Sequence, residues 1–170
     1  MQSDLTEIFK KWLNDYEALV YKVVHSFAQS PEDKRELFSE ILFQIWSSIP
    51  NFKENCAETT WIYRVAFNAA MNWKRRLKKD AQTWASLDGI DFSQLATSDR
   101  DPDPRLQALY QAIRTLPEST ASFVIMHLDG LSYQEMAEIS GISTNAVGVK
   151  LNRAKKKLAE IMKGLTDGNE

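Results

Sequence analysis

The chain has 170 residues, 44% hydrophobic and 26% charged, which are ordinary values for a globular protein of one domain or two small ones. Its net charge of −2 excludes a polycation, so any nucleic-acid binding has to come from local basic patches. One cysteine, Cys56, excludes an intrachain disulfide framework and a cysteine-rich zinc site. There is no apolar run near the roughly eighteen residues of a membrane span and no signal-peptide pattern, so a cytoplasmic protein is expected.

The N-terminal half is helical by pattern. Leu5, Ile8, Phe9, Trp12, Leu13, Tyr16, Leu19, Val20, Val23, Val24 and Phe27 recur every three or four residues, as in a long amphipathic helix. Ser30-Pro31-Glu32 starts a second helix, with proline at the first helical position. Its apolar set is too wide for one stripe. Leu37, Ile41, Ile45 and Ile49 suit a core, leaving Phe43 and in part Trp46 outside. Either the helix is buried on two sides or it keeps a partner-binding face. Pro50 ends it, and the polar loop Asn51–Glu58 follows. A third helix from about Thr59 to Lys79 buries Ile62, Val65, Ala66, Ala69 and Trp73, and turns Asn68, Asn72, Arg75, Arg76 and Lys79 another way. From Asn72 to Ala81 five basic residues meet one acid, for a net of +4.

From Trp84 to Pro104 the sign reverses. Five aspartates against Arg100 give −4, with Gly89, Pro102 and Pro104 and no helical period. This stretch reads as a flexible acidic linker. The expected fold is therefore all-α with two small helical domains: an N-terminal helical bundle over 1–79, a linker over 80–103, and a C-terminal four-helix domain over 104–165.

The C-terminal domain carries a helix-turn-helix. Ser132 and Glu135 form a capping box, Gly141 suits a left-handed helix C-cap, and Ser143 caps the next helix. In that helix Val147, Leu151, Leu158 and Ile161 lie on one face, expected to pack on Met136, Ala137 and Ile139. Asn145, Gly148, Val149, Asn152, Arg153 and Lys156 look outward, and from Lys150 to Lys163 six basic residues meet one acid, for a net of +5. This is the geometry that puts side chains into a DNA major groove. His25 and His127 sit in apolar helical contexts that suit packed core histidines. No phosphate-cradling glycine loop, metal-ligand cluster or nucleophile arrangement appears, so neither an enzyme nor a cofactor or metal site is expected.

Two segments resemble a known family. Thr60-Trp61-Ile62-Tyr63-Arg64-Val65-Ala66-Phe67-Asn68, followed by its basic run, is similar to a signature of bacterial RNA polymerase sigma factors of the extracytoplasmic-function (ECF) group. Leu116-Pro117-Glu118 and then Leu128-Asp129-Gly130-Leu131-Ser132-Tyr133-Gln134-Glu135-Met136-Ala137 resemble a second motif of that family, in the family's order and spacing.

The resemblance implies a dissociable polymerase subunit that selects promoters and initiates transcription. The first domain would be sigma region 2 and the last sigma region 4. Glu36-x-x-Ser39-Glu40, with serine where the family has glutamine, and Phe43 would dock on the clamp helices of core polymerase. Region 4 would dock on the polymerase flap. Asn68 and Asn72 would meet the melted minus-ten strand, with the loop Phe52–Thr60 pocketing a flipped base. Amides suit this because they both donate to and accept from base edges. Trp61 would stack on a base at the melting fork, or simply pack the core. Arg75 and Arg76, with Lys78 and Lys79, would hold phosphates.

The minus-thirty-five element would meet Ser143, Thr144, Asn145, Gly148, Val149, Asn152, Arg153 and Lys156. Gly148 and Val149 depart from the family, where a basic residue and a serine are usual, so altered readout is expected. Asn145, Asn152 and Arg153 would carry most base contact, Asn152 pairing with adenine and Arg153 with guanine or phosphate. An anti-sigma factor is the other partner that the resemblance implies. The acidic linker would suit the nucleic-acid channel of polymerase. Its 24 residues span at most roughly 80 Å, against roughly 50–60 Å between two promoter elements about one and a half turns apart. The competing reading is a stand-alone helix-turn-helix regulator whose N-terminal bundle dimerises or senses a ligand.

Overall fold

Short polar side chains set the breaks in this chain. The computed structural model describes residues 2–80 and 103–167, which form seven α-helices and a 3₁₀ turn, with no strand among the described residues. Helix α1 spans Gln2–Phe27 and α2 spans Pro31–Ser48. Ser30 caps α2 by accepting a 3.0 Å hydrogen bond from the Asp33 amide, with Pro31 in the first turn as expected. The 3₁₀ turn Ile49–Asn51 carries the chain past Pro50, and α3 runs Glu58–Asp80.

These three helices bury Trp12, Val20, Val23, Leu37, Ile41, Ile45, Ile62, Ala66 and Trp73 between them. The second helix is mainly a core element. Phe38 and Leu42 are buried beside the expected Leu37, Ile41, Ile45 and Ile49, while Trp46 is half-buried edge-on to Phe9 and Phe43 stays 49% exposed.

The C-terminal unit contains α4 (Pro104–Arg114), α5 (Glu118–Leu128), α6 (Tyr133–Ser140) and α7 (Thr144–Asp167). Asp103 caps α4 by accepting from the Arg105 amide at 2.9 Å. The apolar face of α7 does not pack on α6 along its whole length, as its spacing suggested. Val147 and Leu151 do, in one core with Met136 and Ile139. Ala154, Leu158 and Ile161 instead join Ile113 of α4, Leu116 of the turn after it, and Ala121 and Val124 of α5. A helix of 24 residues is longer than α6 can cover, so its second half turns to other neighbours.

The two helical units pack directly on each other, which the sequence did not suggest. Phe123, Ile125, Met126, Met136 and Ile139 share one buried core with Tyr63, Phe67 and the rest of the N-terminal bundle. Consequently α3 is buried on two sides: Tyr63, Phe67 and Ala70 are covered in addition to Ile62, Ala66, Ala69 and Trp73. The expected acidic linker lies outside the described residues except at its ends, where Asp80 closes α3 and Asp103 caps α4. Among the described residues no helix is long and apolar enough to cross a membrane.

Candidate nucleic-acid and polymerase interfaces

The helix-turn-helix is built by three local devices. Ser132 accepts from the Glu135 amide at 3.2 Å while the Glu135 carboxylate accepts from the Ser132 amide at 2.7 Å, closing the capping box. That amide holds the Glu135 carboxyl below its usual range. Gly141 takes the left-handed conformation, φ 74°, that ends α6. Ser143 then accepts from the Ala146 amide at 3.1 Å and starts α7.

With Val147 and Leu151 fully buried, α7 turns its remaining arc outward. Thr144, Asn145, Val149, Asn152, Arg153 and Lys156 are exposed there, with Ser143 exposed at the cap. Lys150, Lys155 and Lys157 are also exposed, so the arc is basic. Gly148 is the exception. It is half-buried, because the ring of Tyr133 from α6 lies against it.

On α3, Asn68, Asn72, Arg75 and Arg76 are all exposed, and Arg75 donates to the Asn72 side chain at 3.2 Å. Trp61 stands at the other end of this helix, half-buried and tilted on Phe52 with centroids 5.7 Å apart. Its indole N–H donates to the Ser48 hydroxyl at 3.0 Å. The expectation that Trp61 packs the core therefore holds in part. It packs the core on one side, and on the other it walls a groove of about 280 Å³ with Asn51, Phe52, Lys53, Asn55, Cys56, Arg64 and Glu138. Glu54 in this loop has a φ of 56°, a strained left-handed backbone for a residue with a side chain.

On α2, Glu36 and Phe43 are exposed while Ser39 and Glu40 are half-buried. Glu40 is already engaged: Gln44 donates to it at 3.0 Å and Arg76 pairs with it at 3.6 Å. Arg76, expected to hold DNA phosphate, thus ties α3 to the α2 face. The pair is more than half exposed on the arginine side, so it is worth about 0–1 kcal/mol and yields readily to a phosphate.

Sequence reasoning missed a set of polar contacts between the two units. Asp129, in the turn after α5, accepts from the Tyr63 hydroxyl and pairs with Lys22. Burial, and then that carboxylate, push the Tyr63 phenol far above its ordinary range. Arg64 donates to the Glu138 and Ile139 carbonyls at the end of α6, as a guanidinium does at the negative end of a helix. Arg114 donates to the His25 carbonyl at 2.8 Å, and Lys78 pairs with Glu118 at 2.5 Å. His25 stacks on Tyr110 at 5.4 Å, and burial, Lys34 and Arg114 lower its basicity.

These contacts bear on the site. Arg64 and Asn68 face Ser140, Ile142 and Lys150 across a groove between the units, and Glu138 closes one side of the Trp61 groove. Tyr63 and Arg64 lie inside the motif that contains Trp61 and Asn68. The one sequence signal for their role was that they fall off the buried stripe of α3.

Comparison with known proteins accords with this division. Residues 12–80 match the family described as Sigma-70 region 2, and residues 106–158 match Sigma-70, region 4. The ECF RNA polymerase sigma factor SigF of Caulobacter vibrioides is 34% identical over 142 residues, covering 79% of this chain and 73% of its own. SigW of Bacillus subtilis, also an ECF sigma factor, is 22% identical over 94% of this chain and 91% of its own. Among solved structures, the sigma factor RpoE in complex with the anti-sigma factor NepR from Bartonella quintana has the same fold. Its TM-score is 0.68 at 19% identity, over 92% of this chain and 98% of that one. A basic helix-turn-helix, an amide-lined α3 and the matched regions in their order lead to one conclusion: the chain belongs to the ECF sigma factors of bacterial RNA polymerase.

Proposed function

We propose that this chain directs core RNA polymerase to promoters by reading two DNA elements with two separate faces. The α7 arc of Thr144, Asn145, Val149, Asn152 and Arg153 enters the major groove of the minus-thirty-five element, while Lys156 meets the backbone. The α3 face of Asn68 and Asn72 contacts the melted minus-ten strand, Arg75 and Arg76 hold its phosphates, and the Trp61 groove receives an unstacked base. Glu36, Glu40 and Phe43 dock α2 on the polymerase clamp, and the C-terminal unit docks on the flap.

The observation that carries this reading is the presence of two distinct DNA-suited faces in one chain: the capped helix-turn-helix, and the exposed amides and arginines of α3. In the packed arrangement Asn68 of α3 and Lys150 of α7 line one groove, so the faces are far closer than the roughly 50–60 Å between two elements one and a half turns apart. Promoter engagement therefore requires the two units to separate, and core polymerase is the partner that holds them apart. The sigma factor RpoE is found in complex with an anti-sigma factor, NepR, and a partner of that kind would inhibit this chain by keeping its units from separating. The stand-alone regulator is not favoured, because a duplex-binding activator has no use for a second, single-strand-suited face.

Run-off transcription with core polymerase on genomic fragments tests this. The chain should direct initiation at discrete start sites that core alone does not use. Specific duplex binding by the free chain, with no polymerase-dependent initiation, would overturn the proposal.

A further inference from the structure

A ring from α6 occupies part of the surface that α7 presents to DNA. Gly148 sits at the edge of the outward arc of α7, facing the start of α6. A Cβ placed on it would lie 3.3 Å from Tyr133 Cε2 and 3.8 Å from Cδ2. The ring therefore rests on the α7 backbone, in the space that a longer side chain at position 148 would need. Tyr133 is nonetheless 40% exposed, and Val149, the residue after the glycine, is 45% exposed. Together they form an apolar strip on an otherwise polar face, bordered by the exposed Asn145 and Asn152.

Major-groove chemistry limits what such a strip can meet. The one apolar group that a base pair offers there is the C5-methyl of thymine. Against a G·C pair the same strip would cover the guanine O6 and the cytosine amino group without giving them partners, which is unfavourable. A flanking asparagine complements the arrangement, since a side-chain amide bonds adenine N6 and N7 bidentately.

We infer that Tyr133 is a specificity-determining residue of the minus-thirty-five interface: with Val149 it receives a thymine methyl, and Asn145 and Asn152 read neighbouring adenines. The chain then favours A·T over G·C pairs at the step facing Gly148. This rests on the promoter-reading role proposed above.

The test is transcription by full-length chain and core polymerase from a promoter library randomised through the minus-thirty-five element, with initiating templates sequenced. The wild-type chain should enrich thymine at one or two adjacent positions. Tyr133→Ala should reduce that preference about fourfold, the worth of one buried methyl group, while Tyr133→Phe keeps it. Gly148→Lys, whose Cβ presses the Tyr133 ring by a few tenths of an ångström and whose ammonium reaches past it to the base edge, should shift the same position toward guanine. Unchanged base preferences in Tyr133→Ala and Gly148→Lys, both still initiating, would overturn the inference. So would a Tyr133→Phe profile equal to that of Tyr133→Ala, since the hydroxyl rather than the ring would then make the contact. Failure of the wild-type chain to initiate on any template would instead overturn the promoter-reading role itself.

Discussion

Replacing Asp129 by alanine should loosen the two helical units without unfolding either. The Asp129 side chain is 10% exposed and holds both the Tyr63 hydroxyl and Lys22. Tyr63 is 2% exposed, so without its acceptor the hydroxyl stays buried and unpaired, at a cost of about 1–3 kcal/mol. Lys22 is 45% exposed and returns to water, so its share is about 0–1 kcal/mol. The sum is about 1–4 kcal/mol, or roughly 5- to 900-fold in the ratio of docked to undocked chains. Asp129→Asn keeps an acceptor for Tyr63 and should lose only the smaller part. Tyr63→Phe removes donor and hydroxyl together and should be milder than Asp129→Ala. Energy transfer between dyes at Ser47→Cys and Lys157→Cys, in a Cys56→Ser background, reads docking through a urea titration. The Asp129→Ala midpoint should fall well below that of the parent. An unchanged midpoint, or Asp129→Asn as weak as Asp129→Ala, would refute the reasoning.

The same dye pair reads the pH dependence of docking. The folded-state pKa of His25 lies below its ordinary value because burial, Lys34 and Arg114 disfavour the imidazolium. The stability it contributes is therefore complete above about pH 6.5 and is lost as pH falls through the lower folded value. Docking should weaken between pH 7.5 and pH 5.5, and His25→Gln should flatten that slope. Gly141→Ala meets no atom within 4 Å, so its cost is the left-handed backbone alone, about 1–2 kcal/mol in the unfolding free energy of the C-terminal unit. Ser132→Ala removes one half of the capping box and should cost about 1 kcal/mol by the same denaturation measurement. Trp61→Ala should slow promoter opening roughly tenfold or more, as the loss of one base stack does, while affinity for core polymerase is unchanged.

What the sequence revealed was local, and what it hid was distant. Ser30, Ser132, Gly141 and Ser143 could be placed because a cap or a left-handed turn depends on residues only two to four positions away. The outward arcs of α3 and α7 followed from helical periodicity in the same way. The docking of the two units could not be read, because Asp129 meets Lys22 and Tyr63 across long stretches of chain and no period records that. Tyr63 and Phe67 lie off the stripe of α3 that helical spacing marks as buried, and they are covered because α5 and α6 pack there. Gly148 was legible as a departure but not as the floor beneath Tyr133, since the two lie on different helices. Arg76 shows a further limit: charge alone cannot tell a phosphate contact from a bridge to Glu40.

On the proposed function, one chain reads two separated elements only when core polymerase holds its units apart. Footprinting on a promoter from the run-off screen tests this directly, combining backbone cleavage with permanganate oxidation of unpaired thymines. With core polymerase there should be two protected patches about one and a half turns apart and reactive thymines at the downstream patch, while the free chain protects neither. Protection of both patches by the free chain, or a single duplex patch without unpaired thymines in the presence of polymerase, would contradict it.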